Sequence, residues 1–272
     1  MCGITGFYGF ENKELLKSMT SIISHRGPDD AGLWTDDKFG LGFGHRRLSV
    51  LDLSSKGHQP MFSNSSRYVL IYNGEIYNHM ELRGYLESFC KNKNIIWKGT
   101  SDTETLLEGI ELLGVEKMLN KTIGMFAFAL WDKKFKELFI ARDRMGEKPV
   151  YYGWSNNNFI FGSELHSIEA FHLFQNPICS SALNLYMRYL YVPAPYSIYK
   201  NIYKLEPGCL IKINSLSFSN PPTNLLRAPF SSKGIHLKKW WNIEEIINKS
   251  SQNIIDDKYD LINITKKTLH QS

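Results

Sequence analysis

At 272 residues, 43% of them hydrophobic and 13% aromatic, the chain is long enough for one large domain with an appendage and too apolar to be disordered. Its net charge of +5 arises from 32 basic and 27 acidic residues interspersed along the chain, without the basic blocks of a nucleic-acid binder. Cysteines at 2, 90, 179 and 209 form no CxxC pair or Cys/His cluster, and no apolar run nears the roughly 20 residues of a membrane span. The expectations are therefore no metal, no disulfide framework, no membrane and a reducing cytoplasm.

The opening GITGFYG reads as a short apolar strand. Over Asn12 to Ser24, residues Leu15, Leu16, Met19, Ile22 and Ile23 recur at helical spacing, and Gly27 and Pro28 in HRGPDD end that helix. FGLGFGHRRLSVLDLS alternates as a strand pair would, and RYVLIYNGEIYN reads as a strand running into a glycine turn. Asn78 with Glu81, and Ser101 with Glu104, have the spacing of capping boxes and start two helices, the second carrying Leu106, Leu107, Ile110 and Leu113 on one face. From Gly124, MFAFALWD, ELFIARD, PVYYGWS and FIFGSE follow one another through short polar turns as an antiparallel meander. A helix around Ser181 to Tyr191 and the extended VPAPYSIYKNIYKLEPGCLIKI close the unit. From about Asn214 the chain turns rich in Ser, Asn, Pro and Lys, with a helix-like DKYDLINITKKTLH as its only later pattern. Strands, then helices, then strands argue for an α+β layered domain.

Chemistry concentrates at the start. A cysteine freed of Met1 carries a thiol and an α-amine on one residue, and an α-amine, whose pKa is ordinarily about 7.7–8.0, suits proton transfer at neutral pH. Cys2 thus supplies nucleophile and base together; as an isolated cysteine it would read as a small buried hydrophobe. By spacing, His25, His45 and His58 form no triad with it.

The motifs CGITG, HRGPDD, GHRRLSVLDLS, YNGEIYN, SDTE, GMFAFALWD and ARDRMGEKPVYY occur in the order and rough spacing of one family. Over residues 2 to 212 the chain resembles the glutamine-hydrolysing half of asparagine synthetase, a class II glutamine amidotransferase. The resemblance implies the N-terminal nucleophile hydrolase fold, a four-layer αββα sandwich of two antiparallel sheets. It also implies hydrolysis of L-glutamine to glutamate and ammonia through a glutamyl thioester on Cys2. The Asn73 carboxamide and the Gly74 N–H would form the oxyanion hole; read alone, Asn-Gly is a hairpin turn. Arg47 would bind the substrate carboxylate, where a guanidinium fork matches the planar group; read alone, it is a surface charge. Asp102, with Glu75, would receive the substrate ammonium, whereas alone Asp102 would merely favour its helix start. Leu48, Ser49, Val50 and Leu51 would line the pocket through backbone groups. HRGPDD resembles the family loop beside the nucleophile, which Arg26 would help close, although a helix-ending turn explains Gly27 and Pro28 equally well; ARDRMGEKPVYY reads as structural.

The resemblance divides the chain into a glutaminase domain, 2–213, and a linker with the start of a missing synthetase domain, 214–272. The synthetase loop Ser-Gly-Gly-x-Asp-Ser is absent from the sequence. No cofactor is implied for the glutaminase reaction; ATP and magnesium belong to the missing domain. A separate synthetase subunit or a homo-oligomer is the implied protein partner. The competing expectation is a catalytically silent, truncated remnant serving as an interaction module.

Overall fold

A computed structural model describes residues 1–10, 12–90, 95–217, 221–222, 224–250 and 258–271. The chain forms two units, Met1–Trp240 and Trp241–Ser272. In chain order the first contains β1 (Gly3–Tyr8), α1 (Lys13–Ser21), β2 (Asp30–Asp36), β3 (Leu41–Arg47), β4 (Met61–Phe62), β5 (Tyr68–Ile76), α2 (His79–Phe89), α3 (Asp102–Leu113), α4 (Val115–Lys121), β6 (Gly124–Asp132), β7 (Glu137–Arg142), β8 (Tyr151–Ser155), β9 (Asn158–Gly162), α5 (Leu165–Glu169), α6 (Ser180–Tyr189), β10 (Ile202–Lys204), β11 (Cys209–Ile213), β12 (Phe230–Ser232) and β13 (Ile235–Lys239). The second contains α7 (Ile243–Ser250) and α8 (Lys258–Gln271), with Ile243, Ile246, Ile247, Leu261 and Leu269 exposed.

The strands form two antiparallel sheets. The first has six strands in the order β10-β8-β9-β1-β3-β2, the second seven in the order β12-β13-β11-β7-β6-β5-β4. Alternation along each strand builds the layers. Ile4, Phe43, Val69, Ile71, Ala127, Ala129 and Trp131 face the space between the sheets, whereas Tyr68, Leu70, Tyr72, Phe126, Phe128 and Leu130 pack outward with Leu106, Leu107 and Met118 of α3 and α4. On the far side, Phe7 and Ile160 pack with Leu15, Leu16 and Met19 of α1 and Ile168 of α5. This is the four-layer α+β sandwich expected from the sequence. Both faces of the central strands are covered, so MFAFALW is apolar at nearly every position.

Several local expectations change. The stretch from 41 to 54 is no strand pair: β3 ends at Arg47 and pairs with β2 and β1. Gly74 lies inside β5 opposite Phe126 rather than in a turn. A Cβ there would stand 2.3 Å from the Met125 carbonyl, so close backbone approach, not a left-handed φ, requires glycine. The helix from Asn12 ends at Ser21 and gives way to a 3-10 turn over Ser24–Arg26. Ser101 Oγ accepts from the Glu104 N–H at 3.2 Å as expected of a cap. Asn78 instead accepts from the Ile123 N–H and donates to the Lys121 carbonyl, tying α2 to the start of β6.

The four later strands do not form one meander, because β6 and β7 belong to the second sheet and β8 and β9 to the first. Beyond Ile213 the sheet continues: β13 pairs with β11 and β12 with β13, while Leu226, Ile235 and Leu237 enter the inter-sheet core. Their polar flanks hide these short strands in the sequence. The first compact unit accordingly runs to Trp240, past the expected linker boundary at 213.

The crossover 143–150 is held by ARDRMGEK. Fully buried Asp143 accepts from the Phe126, Met145, Glu147 and Lys148 N–H groups at 3.0–3.1 Å, and Arg142 donates to the carbonyls of Lys148, Leu205 and Gly146. Asp143→Ala leaves four backbone donors without their acceptor and should destabilise the fold by about 3 kcal/mol or more. A urea unfolding curve checks this; an unchanged midpoint would contradict it.

Candidate active site

Strand parity assembles the site at one end of the sandwich. Gly3 pairs with Arg46, so the next step of the ladder sets Cys2 beside Arg47. Cys2 shares parity with inward-facing Ile4, Arg47 with Phe43, and Asn73 and Glu75 with Val69 and Ile71, so all four project toward the inter-sheet side. Asp102 arrives from outside: its Oδ2 accepts from the Tyr72 hydroxyl at 3.0 Å and from the Ile76 N–H at 2.8 Å, at the end of β5.

Cys2 Sγ accepts from the Leu48 N–H at 3.4 Å and stands 3.5 Å from the Leu48 carbonyl. Burial raises its pKa, with Glu75 adding to the rise while the Leu48 N–H, the amino terminus and Arg47 oppose it. Arg26 Nε donates to the Cys2 carbonyl at 3.0 Å and its Nη1 pairs with Glu164 at 2.7 Å, so Arg26 anchors the chain end on β9's following turn.

Arg47 is buried and donates to the Ser54 carbonyl at 2.9 Å and to the Asp52 carbonyl, neither of which neutralises its charge. A Cβ on Gly57 would strike its guanidinium at 2.1 Å, so the glycine makes room for it. Asp52 resists its burial: the Ser54 hydroxyl, the Thr100 and Ser54 N–H groups and Arg47 hold it at about 2.

The Asn73 carboxamide is 1% exposed, and its Nδ2 is buried without a hydrogen-bond partner. An unpaired buried donor costs about 1–3 kcal/mol and calls for an explanation. Glu75 is half-buried; burial, then the charge of Asp102, raise its carboxyl to about 7, with Lys148 pulling it down. Burial also raises Asp102 against its three hydrogen-bond donors, Tyr72, Ile76 and Thr103. Arg83 braces the start of α3 by donating to the Gly99 and Ser101 carbonyls at 2.9 and 3.0 Å.

Two adjoining spaces meet at Cys2. A narrow cleft of about 30 Å³ is lined by Cys2, Arg47, Leu48, Val50, Leu51 and, across from them, Gly74, Glu75 and Asp102. A chamber of about 230 Å³ is lined by Met1, Cys2, Asn73, Gly74, Glu75 and Lys148. Ser49 lines neither; its N–H is tied to Asp29 at 2.7 Å. Gln59, which accepts from the Tyr72 N–H at 2.7 Å, is a wall residue without a signal in the sequence, whereas Lys148, also in the wall, lies in ARDRMGEKPVYY, a motif that reads as structural. Among the described residues no cluster of three or more His, Cys, Asp or Glu could hold a metal ion.

His25, His45 and His58 each have a partner other than Cys2. His25 pairs with Glu164 and His58 with Asp30. Burial pushes His45 down to about 3, and its Nε2 lies 3.0 Å from the Tyr72 carbonyl, so it is a neutral ring and a poor base.

Comparison with known proteins gives concordant matches. The family described as a glutamine amidotransferase domain matches residues 1–222. Putative asparagine synthetase (glutamine-hydrolyzing) 2 of Methanocaldococcus jannaschii is 40% identical over 227 residues, 76% of this chain and 42% of its own length. Asparagine synthetase (glutamine-hydrolyzing) 1 of Bacillus subtilis is 39% identical over 217 residues, 76% of this chain and 33% of its own length. The chain thus spans less than half the length of these relatives. Two solved structures share the fold at 19% identity over 88% of this chain and 49% of theirs. They are an allosteric regulatory enzyme of purine biosynthesis, TM-score 0.62, and a glutamine phosphoribosylpyrophosphate amidotransferase from B. subtilis, TM-score 0.61.

Proposed function

The chain belongs to the glutamine amidotransferase domain family, and from that premise we propose that it hydrolyses L-glutamine to glutamate and ammonia with Cys2 as nucleophile. The observation that carries this reading is the unpaired Asn73 carboxamide, buried in the chamber it shares with Cys2. An orphaned donor beside a thiol is what a developing oxyanion requires.

Cys2 follows Met1 in the structure, and its peptide nitrogen there is no base. After removal of Met1, the free α-amine takes the thiol proton and the thiolate attacks the glutamine amide carbon. The Asn73 carboxamide and the Gly74 N–H hold the resulting oxyanion. The C–N bond then breaks as the α-ammonium returns its proton to the leaving nitrogen, giving ammonia and a glutamyl thioester. Water, deprotonated by the same amine, attacks the thioester, and the thiolate leaves and is reprotonated as glutamate departs. Arg47 takes the substrate carboxylate, and Glu75 and Asp102 its ammonium. A 30 Å³ cleft holds little more than one water. The adjoining 230 Å³ chamber supplies the remaining room at Cys2 for an amino acid.

On this reading the glutaminase step uses no cofactor. Transfer of the nitrogen to aspartate or another acceptor, with ATP and magnesium, belongs to a synthetase part whose pyrophosphate loop these residues do not contain.

With loss of Met1 confirmed by intact mass, the purified chain should release ammonia from glutamine. It should also take up one equivalent of a glutamine analogue bearing a chloromethyl ketone in place of the amide, on Cys2, with glutamine protecting. Neither labelling nor ammonia would overturn the proposal in favour of a silent interaction module.

A further inference from the structure

The crossover motif delivers one side chain that its structural role does not explain. Lys148 is 6% exposed, and its side-chain partner is the Met1 thioether, Nζ to Sδ 3.3 Å. Its backbone is clamped on both sides: the N–H donates to Asp143 Oδ2 at 3.0 Å and the carbonyl accepts from Arg142 Nε at 2.8 Å. Removal of Met1 takes that contact from the ammonium, which the clamped backbone still aims into the chamber. Burying a cation without an anion is costly.

The carboxylate that shares its chamber is Glu75. Both line the 230 Å³ chamber, and Glu75 also lines the cleft that Arg47 and Asp102 share. With Cys2, Leu48, Val50 and Gly74, Glu75 borders both spaces. Among the described residues its carboxylate accepts no hydrogen bond and enters no ion pair, whereas Asp102 is already committed to Tyr72, Ile76 and Thr103. Glu75 is thus the carboxylate with acceptor sites left for a ligand.

We infer that Lys148 is a positioning residue that keeps Glu75 charged and so sets how tightly, and down to what pH, the cleft holds the ammonium end of its amino-acid substrate. The inference rests on the glutaminase reading above. Two opposing influences act on Glu75: burial and Asp102 raise its carboxyl to about 7, and Lys148 lowers it. Other titratable or charged groups near the site are Cys2 from β1, Arg47 from β3, Tyr72 and Tyr77 from β5 itself and the residue after it, and His79 from α2. Removing Lys148 leaves Asp102 as the dominant neighbour and drives Glu75 toward its neutral form. A neutral Glu75 cannot pair with an ammonium, so the loss appears at low pH and fades as pH rises.

The test uses binding, so that turnover does not enter. In a Cys2→Ala background, the Kd for glutamine is measured by calorimetry from pH 6 to 9, with and without Lys148→Met. If Glu75 moves up by about one pH unit, Kd rises roughly fivefold at pH 7 and by little at pH 9. Lys148→Arg should restore the parent profile. Glutaramate, which lacks the α-ammonium, should bind both proteins alike, and Lys148→Met should add nothing in a Glu75→Gln background. A Kd that rises equally at every pH, or an equal loss for glutaramate, would mark Lys148 as purely structural and sink the inference while leaving the glutaminase reading intact. Failure of the Cys2→Ala protein to bind glutamine at any pH would remove both.

Discussion

Cys2→Ala is expected to reduce ammonia release from glutamine to the buffer background, a fall of at least about three orders of magnitude. No other group in the site replaces the thiol. His45 is neutral and faces Tyr72, His25 and His58 are paired elsewhere, and the nearest carboxylate, Glu75, is held half-buried in the wall. Stability should change by less than about 1 kcal/mol, because Cys2 Sγ contributes only long contacts to the Leu48 backbone. Circular dichroism melts beside a coupled ammonia assay separate these effects. Substantial residual turnover in a well-folded Cys2→Ala protein would mean that the thiol is not the nucleophile.

The second large effect concerns Asn73. Asn73→Ala should lower kcat about 10²–10³-fold with KM nearly unchanged, about 3–4 kcal/mol of transition-state stabilisation, as expected for one oxyanion donor. The stability response should be unusual for so buried a polar residue. Its Nδ2 has no partner to lose, so truncation removes a desolvated donor rather than a hydrogen bond, and the unfolding midpoint should hold or rise. Steady-state kinetics and urea unfolding on the same preparation decide this. A raised KM with kcat preserved would place Asn73 in ground-state binding and dismantle the oxyanion assignment.

Some of the site was legible because its residues sit at defined points of regular elements. SDTE announced both a helix start and an acidic residue there, and α3 begins at Asp102 with Ser101 as its cap. RYVLIYNGEIY reads as a strand, with its glycine as a turn. Local propensity favours Asn-Gly in hairpins, and only pairing with β6 over all nine residues holds it extended. The resemblance groups Ser49 with Leu48, Val50 and Leu51, but its N–H is taken by Asp29 and it lines neither space. Gln59 and Lys148 reach the site across 13 and 147 residues from their partners Tyr72 and Met1, and no local pattern encodes such contacts.

The sequence by itself determined the layered α+β class, the helix starts and the cluster of short motifs, since alternation, capping and glycine placement act over a few residues. Only the tertiary structure decided which strands share a sheet, that β12 and β13 extend the second sheet, and which face of β5 meets Cys2. Those outcomes depend on burial summed between segments far apart in the chain. The same holds for charge: a carboxyl such as Glu75 takes its proton affinity from the depth of its burial and from Asp102 and Lys148, neighbours that only folding brings to it.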